Sequence, residues 1–278
     1  MKSVKEVLKE KNFRFNKQFG QNFITDSNFL ASMVQSAAIT SDDIVVEVGP
    51  GAGTLTREIA KVAKKVYAFE IDRNLAPVLE ETLKDFNNVE VFFKDIQKVT
   101  QEELKQLIGG DYKVVANIPY YITTPIIMKF LEQDYKPKSI SVMIQKEVAY
   151  RLVSKASDAD YGVITLAIGL EGQARIVKEV SRDMFYPVPN VDSAIIRIDI
   201  EDKYKDLDKS KVKKVIKAAF SMRRKTLTNC LMSSFSLNRE KIENILNELA
   251  LDTKVRGENL DLDNFIQLTQ KLDNIIKL

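Results

Sequence analysis

A chain of 278 residues with 45% hydrophobic side chains has room for one large and one small domain, and no stretch approaches the ~20 apolar residues of a membrane span. The complete absence of histidine excludes imidazole general bases, Ser-His triads and the usual zinc ligands, so no metal is expected. The net charge of +3 is modest, the polar stretch Met1 to Lys17 suits neither a secretory signal nor an anchor, and the lone Cys230 has no internal disulfide partner, which fits a cytoplasmic protein.

In chain order, a basic N-terminal arm comes first, with six Lys or Arg and two Glu up to Lys17. Ile44 to Val48 reads as a buried strand and Thr54 to Lys65 as a helix. A second strand over Val66 to Glu70 precedes a helix running through Leu79 to about Lys84, and a third strand spans Val89 to Phe93. Lys113 to Ala116 and Ser139 to Gln145 supply a fourth and a fifth. Short β-branched runs separated by helices predict an α/β domain with a parallel sheet. A run around Ala174 to Val180 and another over Ser193 to Ile200 predict a closing antiparallel pair, with a proline-punctuated loop near Phe185 between them. After Glu201 strands vanish, and Asp208 to Ala219, Arg239 to Ala250 and Leu262 to Leu278 carry helical spacing. The boundary is therefore expected in Asp202 to Asp208, giving a first domain of residues 1–201 and a helical one of 202–278.

Glu47-Val48-Gly49-Pro50-Gly51-Ala52-Gly53 lies between the first strand and its helix, where glycines let the backbone approach a ligand beside a helix N-terminus. Thr54 occupies the position where a dinucleotide fold needs its third glycine. Gly-x-Gly-x-Gly through Gly49, Gly51 and Gly53 is instead the form typical of methyltransferase folds, where the loop meets S-adenosylmethionine. Glu70 ends the second strand, 21 residues beyond Gly49, as an acceptor for ribose hydroxyls. Asp95 follows the third strand, as an acceptor for the adenine amine. Both lie past the C-terminal ends of strands, the edge at which open α/β sheets bind ligands.

Asn117-Ile118-Pro119-Tyr120 follows the fourth strand. An adenine amine is a poor nucleophile because its lone pair is delocalised into the ring. Two acceptors for its hydrogens, the Asn117 side-chain carbonyl and the Ile118 backbone carbonyl, localise that pair toward a methyl donor. Pro119 keeps the carbonyl aimed, and Tyr120 offers a stacking face to a flipped base. Phe185 either closes over the base or forms a hydrophobic staple; Tyr121 is expected to pack.

These segments, with Gln18 to Ile24, Gln145 to Ala149, Phe185 to Asp192 and Phe220 to Leu227, occur in an order that resembles the ribosomal RNA adenine dimethyltransferase family, its bacterial small-subunit branch in particular. The resemblance runs from about Phe15 to the C-terminus. It implies a Rossmann-like, seven-stranded class I methyltransferase domain with a small helical domain. It also implies dimethylation of two adjacent adenosines in the 3′-terminal hairpin of 16S rRNA during small-subunit assembly, by a monomer. Asn22, Ile24, Gly49, Glu70, Asp95 and Asn117 would meet the cofactor, and the arm would close over the pocket. Ile24 stands where the family often has Leu.

Between Lys203 and Lys225 ten Lys or Arg face two Asp. Charge of this kind suits a phosphate-rich partner, although alone it reads better as a solvated helix face. Arg223, Arg224 and Lys225 are expected as RNA phosphate contacts on a helix following Phe220. Two other readings stay open: a 23S rRNA adenine methyltransferase conferring macrolide resistance, and a non-catalytic ribosome assembly factor on the same scaffold.

Overall fold

The computed structural model describes residues 4–11, 13, 22–222 and 224–278, apart from the Lys5 side chain. The strands are β1 (Phe23–Ile24), β2 (Ile44–Val48), β3 (Lys65–Phe69), β4 (Val89–Phe92), β5 (Lys113–Asn117), β6 (Ser139–Gln145), β7 (Gly172–Val180), β8 (Phe185–Tyr186) and β9 (Ser193–Ile200). The helices are α1 (Val4–Glu10), α2 (Ser27–Ser36), α3 (Thr54–Ala60), α4 (Ala76–Leu83), α5 (Gln101–Ile108), α6 (Thr123–Glu132), α7 (Lys146–Leu152), α8 (Val163–Glu171), α9 (Lys209–Ala219), α10 (Leu227–Phe235), α11 (Arg239–Glu248) and α12 (Leu262–Ile276).

Seven strands form one sheet in the order β4-β3-β2-β5-β6-β9-β7. The pairs from β4 through β6 are parallel, and β9 runs antiparallel to β6. Val45, Val46, Val114, Val115, Ile140 and Val142 are fully buried, as a parallel sheet covered on both faces requires. The chain leaves β2 toward β3 and β4 on one side and returns beside β2 with β5 on the other. That change of direction opens a crevice at the carboxyl ends of β2 and β5. The helix expected over Thr54 to Lys65 ends at Ala60, five residues early, because the Asn88 side-chain amide donates to the carbonyls of Ala60 and Ala63, both at 2.9 Å, and closes its C-terminus. No helix among the described residues is long and apolar enough to cross a membrane.

The chain divides into two compact units, residues 1–149 with 174–200 and residues 150–173 with 201–278. The helical unit is thus larger than the sequence boundary at 201 and 202 assigns. Helix α8 belongs to it, because Leu166 and Leu170 enter a core with Val212, Val215, Leu227, Phe265 and Leu268. The α/β unit has its own core, in which Met33, Val45, Ile59, Val66 and Ile195 meet around the sheet. Asp26, Thr100, Asp208, Asn238 and Asp261 each accept backbone N–H groups at the starts of their helices, satisfying donors that would otherwise be orphaned.

Candidate active site

The crevice between β2 and β5 is a cavity of about 260 Å³ in the α/β unit. Its wall includes Asn22, Ile24, Gly49, Gly51, Glu70, Asp95, Asn117, Ile118, Pro119, Tyr120 and Phe185. Sequence reading picked out each of these residues. Gly53 does not line it. A Cβ there would sit 2.9 Å from Thr82 Oγ1 on α4, so this glycine serves the packing of α3 against α4.

Glu70 does more than offer an acceptor. Its Oε2 accepts from Gly51 N–H at 3.1 Å, and its Oε1 accepts from the N–H groups of Ile71 and Asp72 at 2.8 and 2.9 Å. The carboxylate therefore ties the glycine loop to the end of β3. Burial pushes its pKa up, against those three backbone donors. Gly51 has a φ of 58°, and a Cβ on it would lie 2.6 Å from Phe23 Cε1. Phe23 belongs to a cluster with Val4, Val7 and Leu8 of α1 and Leu75 and Leu79, so α1 packs beside the glycine loop. The arm residues 14–21, expected to close over the pocket, lie outside the described residues.

Asp95 caps a 3-10 turn over Ile96 to Lys98, with its Oδ1 accepting from Gln97 N–H at 3.0 Å. The Asn117 amide donates to the Asn22 carbonyl at 3.1 Å, which leaves its own carbonyl oxygen as the acceptor turned to other partners. Ile118 is held through its N–H, which donates to Met143 O at 3.2 Å. The Tyr120 hydroxyl is 2.7 Å from Ser193 Oγ, and burial raises its pKa, with the Asp192 charge adding to this against the Ser193 bond. Phe185 pairs with Ile24 across β1 and β8 and sits in the α/β core with one face on the cavity, so it packs and lines at once.

Two wall residues escape a local reading. Tyr121, expected to pack, is instead 58% exposed at the cavity rim; partial burial and the charges of Glu70 and Asp95 raise its pKa. Glu47 is only 1% exposed, and its Oε2 has no hydrogen-bond partner among the described residues. Burial pushes its pKa up to about 8, with the Thr56 hydroxyl opposing and the Glu70 charge adding. The signal was its place on β2 directly below the glycine loop.

In the helical unit, three lysines of the basic segment are engaged internally. Lys209 and Lys213 both reach the buried Glu171, at 2.9 and 2.8 Å, and Lys211 pairs with Asp273 at 2.6 Å. Lys214, Lys217, Arg224 and Lys225 are exposed. Arg224 and Lys225 lie in the turn between α9 and α10, because Phe220 already caps α9; they are not on a helix. Arg223 lies outside the described residues. No cluster of metal-ligating side chains occurs among the described residues.

Residues 12–271 match the family model described as ribosomal RNA adenine dimethylase. The chain belongs to that family. The dimethylases are S-adenosylmethionine-dependent enzymes that methylate adenine in ribosomal RNA. A ribosomal RNA small subunit methyltransferase A from Clostridioides difficile is 48% identical over 271 residues, covering 96% of this chain and 94% of that protein. Among solved structures, a dimethyladenosine transferase from Plasmodium falciparum is 26% identical with a TM-score of 0.78, covering 91% of this chain and 98% of its own. The 23S rRNA methyltransferase ErmE is also 26% identical, with a TM-score of 0.69 over 90% of this chain and 99% of its own.

Proposed function

We propose that this dimethylase transfers methyl groups to the exocyclic amines of adjacent adenosines in small-subunit rRNA, acting as a cytoplasmic monomer on the assembling subunit. The observation that carries the reading is the Asn117 side chain. Its amide is held by the Asn22 carbonyl, so its oxygen is oriented as an acceptor in the same cavity as the glycine loop and Glu70. The cavity fits the cofactor. Gly49 and Gly51 let the loop approach a ligand without side chains at those positions, Glu70 keeps lone pairs beyond its three backbone donors, and Glu47 Oε2 is a buried polar atom with no partner among the described residues. Asn22, Ile24, Gly49, Gly51, Glu70, Asp95 and Asn117 would hold it. S-adenosylmethionine, when bound, supplies a methyl group made electrophilic by its sulfonium centre.

The chain's own residues then bind and orient the base. Tyr120 stacks its face, Phe185 bounds the pocket, and the carbonyls of Asn117 and Ile118 accept the two amine hydrogens. Accepting them localises the nitrogen lone pair for attack. After transfer the alkylated amine gives a proton to water, so a chain without histidine lacks nothing for the reaction. Lys214, Lys217, Arg224 and Lys225, with Arg223, hold RNA phosphates without reading bases.

Methyl transfer from labelled S-adenosylmethionine to unmethylated small and large subunits, with digestion to nucleosides, tests this. Dimethyladenosine in the small subunit alone is expected. Label in the large subunit would move the chain to the 23S branch that ErmE represents, and cofactor binding without label in either would leave an assembly role.

A further inference from the structure

Tyr120 follows β5, yet its hydroxyl bonds to a residue on a strand two places away in the sheet. Ser193 begins β9, opposite Gln145 of β6, and its side chain is fully buried. The 2.7 Å contact therefore spans the carboxyl end of β6. The backbone leading into Ser193 is held as well. Its neighbour Asp192 receives Lys146 N–H on its carbonyl and Arg182 N–H on its carboxylate, both at 3.0 Å. At the other end of the tyrosine, Pro119 restricts the backbone, and the Pro119 carbonyl accepts from Ile122 N–H at 3.1 Å to close the turn that carries Tyr120.

A phenol ring tethered only through its Cβ can turn about two side-chain torsions. One tied also at its hydroxyl has the axis from Cγ to the oxygen fixed, so the ring cannot swing about the first torsion. A stacking ring whose axis is already held binds a base without first losing the freedom to swing, which is how preorganisation raises affinity. We infer that Ser193 is a positioning residue for methyl transfer, holding the axis of the Tyr120 ring in the place where it receives the target adenine. The inference rests on the reading of Tyr120 as the stacking face. Ser193 touches neither the base nor the cofactor in this account and acts only through the tyrosine.

A double-mutant cycle on the full chain tests it, with unmethylated small subunits as substrate. Ser193→Ala and Tyr120→Phe are each expected to lower kcat/KM for the subunit three- to tenfold. The affinity for S-adenosylmethionine by calorimetry should stay within twofold in both. The double variant should be no worse than the poorer single one, because each removes the same bond. Tyr120→Phe keeps the ring and puts no smaller side chain into the buried position, so it carries the test if Ser193→Ala folds poorly. Effects that multiply in the double variant, or an equal loss of cofactor affinity, would overturn the positioning role and reduce Ser193 to packing. A Tyr120→Phe enzyme as active as wild type would overturn it too. A Tyr120→Ala enzyme of normal kcat/KM would instead remove the stacking reading on which it stands.

Discussion

At the level of single residues, Glu47 has the clearest physical cost. A carboxyl with an ordinary pKa of 4.5 and a folded value of about 8 binds more protons in the folded chain than in the unfolded one between those two pH values. Stability from this group is therefore complete below about pH 4.5 and falls as pH rises toward 8, by an amount on the order of a few kcal/mol. Glu47→Gln should remove that slope. Its Tm without cofactor is expected to match wild type near pH 5 and to exceed it increasingly toward pH 8; parallel curves would mean the carboxyl is already ionised. Tyr120→Ala should remove ~1–3 kcal/mol of base stacking, roughly ten- to a hundredfold in kcat/KM for the subunit, with cofactor affinity spared. Glu70→Ala should act in the opposite sense, weakening cofactor binding first. Because three backbone donors lose their acceptor, it should also lower Tm, and calorimetry with a melting curve reads both effects.

At the level of elements, the glycine loop separates ligand contact from packing. Gly51→Ala places a Cβ against Phe23 at a positive φ and should cost ~1–3 kcal/mol of stability together with cofactor affinity. Gly53→Ala presses on Thr82 of α4 and should lower Tm with a much smaller change in cofactor affinity. Equal losses of affinity would mean the loop moves as one piece. The strands from β2 to β6 were legible because each is a short β-branched run between helical stretches. Their helix ends were less so: α3 stops where Asn88, far along the chain, reaches the carbonyls of Ala60 and, just beyond the helix, Ala63. Helix α8 (Val-Ile-Thr-Leu-Ala-Ile-Gly-Leu-Glu) is apolar almost all round, so it has no periodicity to read. The site's glycines, acids and Asn-x-Pro-Tyr stood out because each follows a strand. Ser193 did not, since its partner lies 73 positions away.

At the level of the whole molecule, charge count and charge availability differ. Neutralising Arg224 and Lys225 should flatten the salt dependence of RNA binding by about one counterion per residue with little change in Tm. Lys213→Ala should do the reverse, leaving the salt slope and removing ~1–3 kcal/mol, because Glu171 is buried and loses one of its two lysines. A changed slope would place Lys213 on the RNA surface instead. The interleaving of the two units has a consequence for synthesis. As the chain leaves the ribosome, residues 150–173 emerge before the α/β unit is complete and before residues 201–278, the rest of their own unit, exist. Leu166 and Leu170 of α8 must wait, uncovered, until the later members of their core, on α9, α10 and α12, have been made. A product ending near residue 201 would thus carry an orphaned greasy helix and should aggregate, whereas one in which a short linker replaces 150–173 should stay in solution. For this polypeptide, the last eighty or so residues act as the internal escort of a helix made long before them.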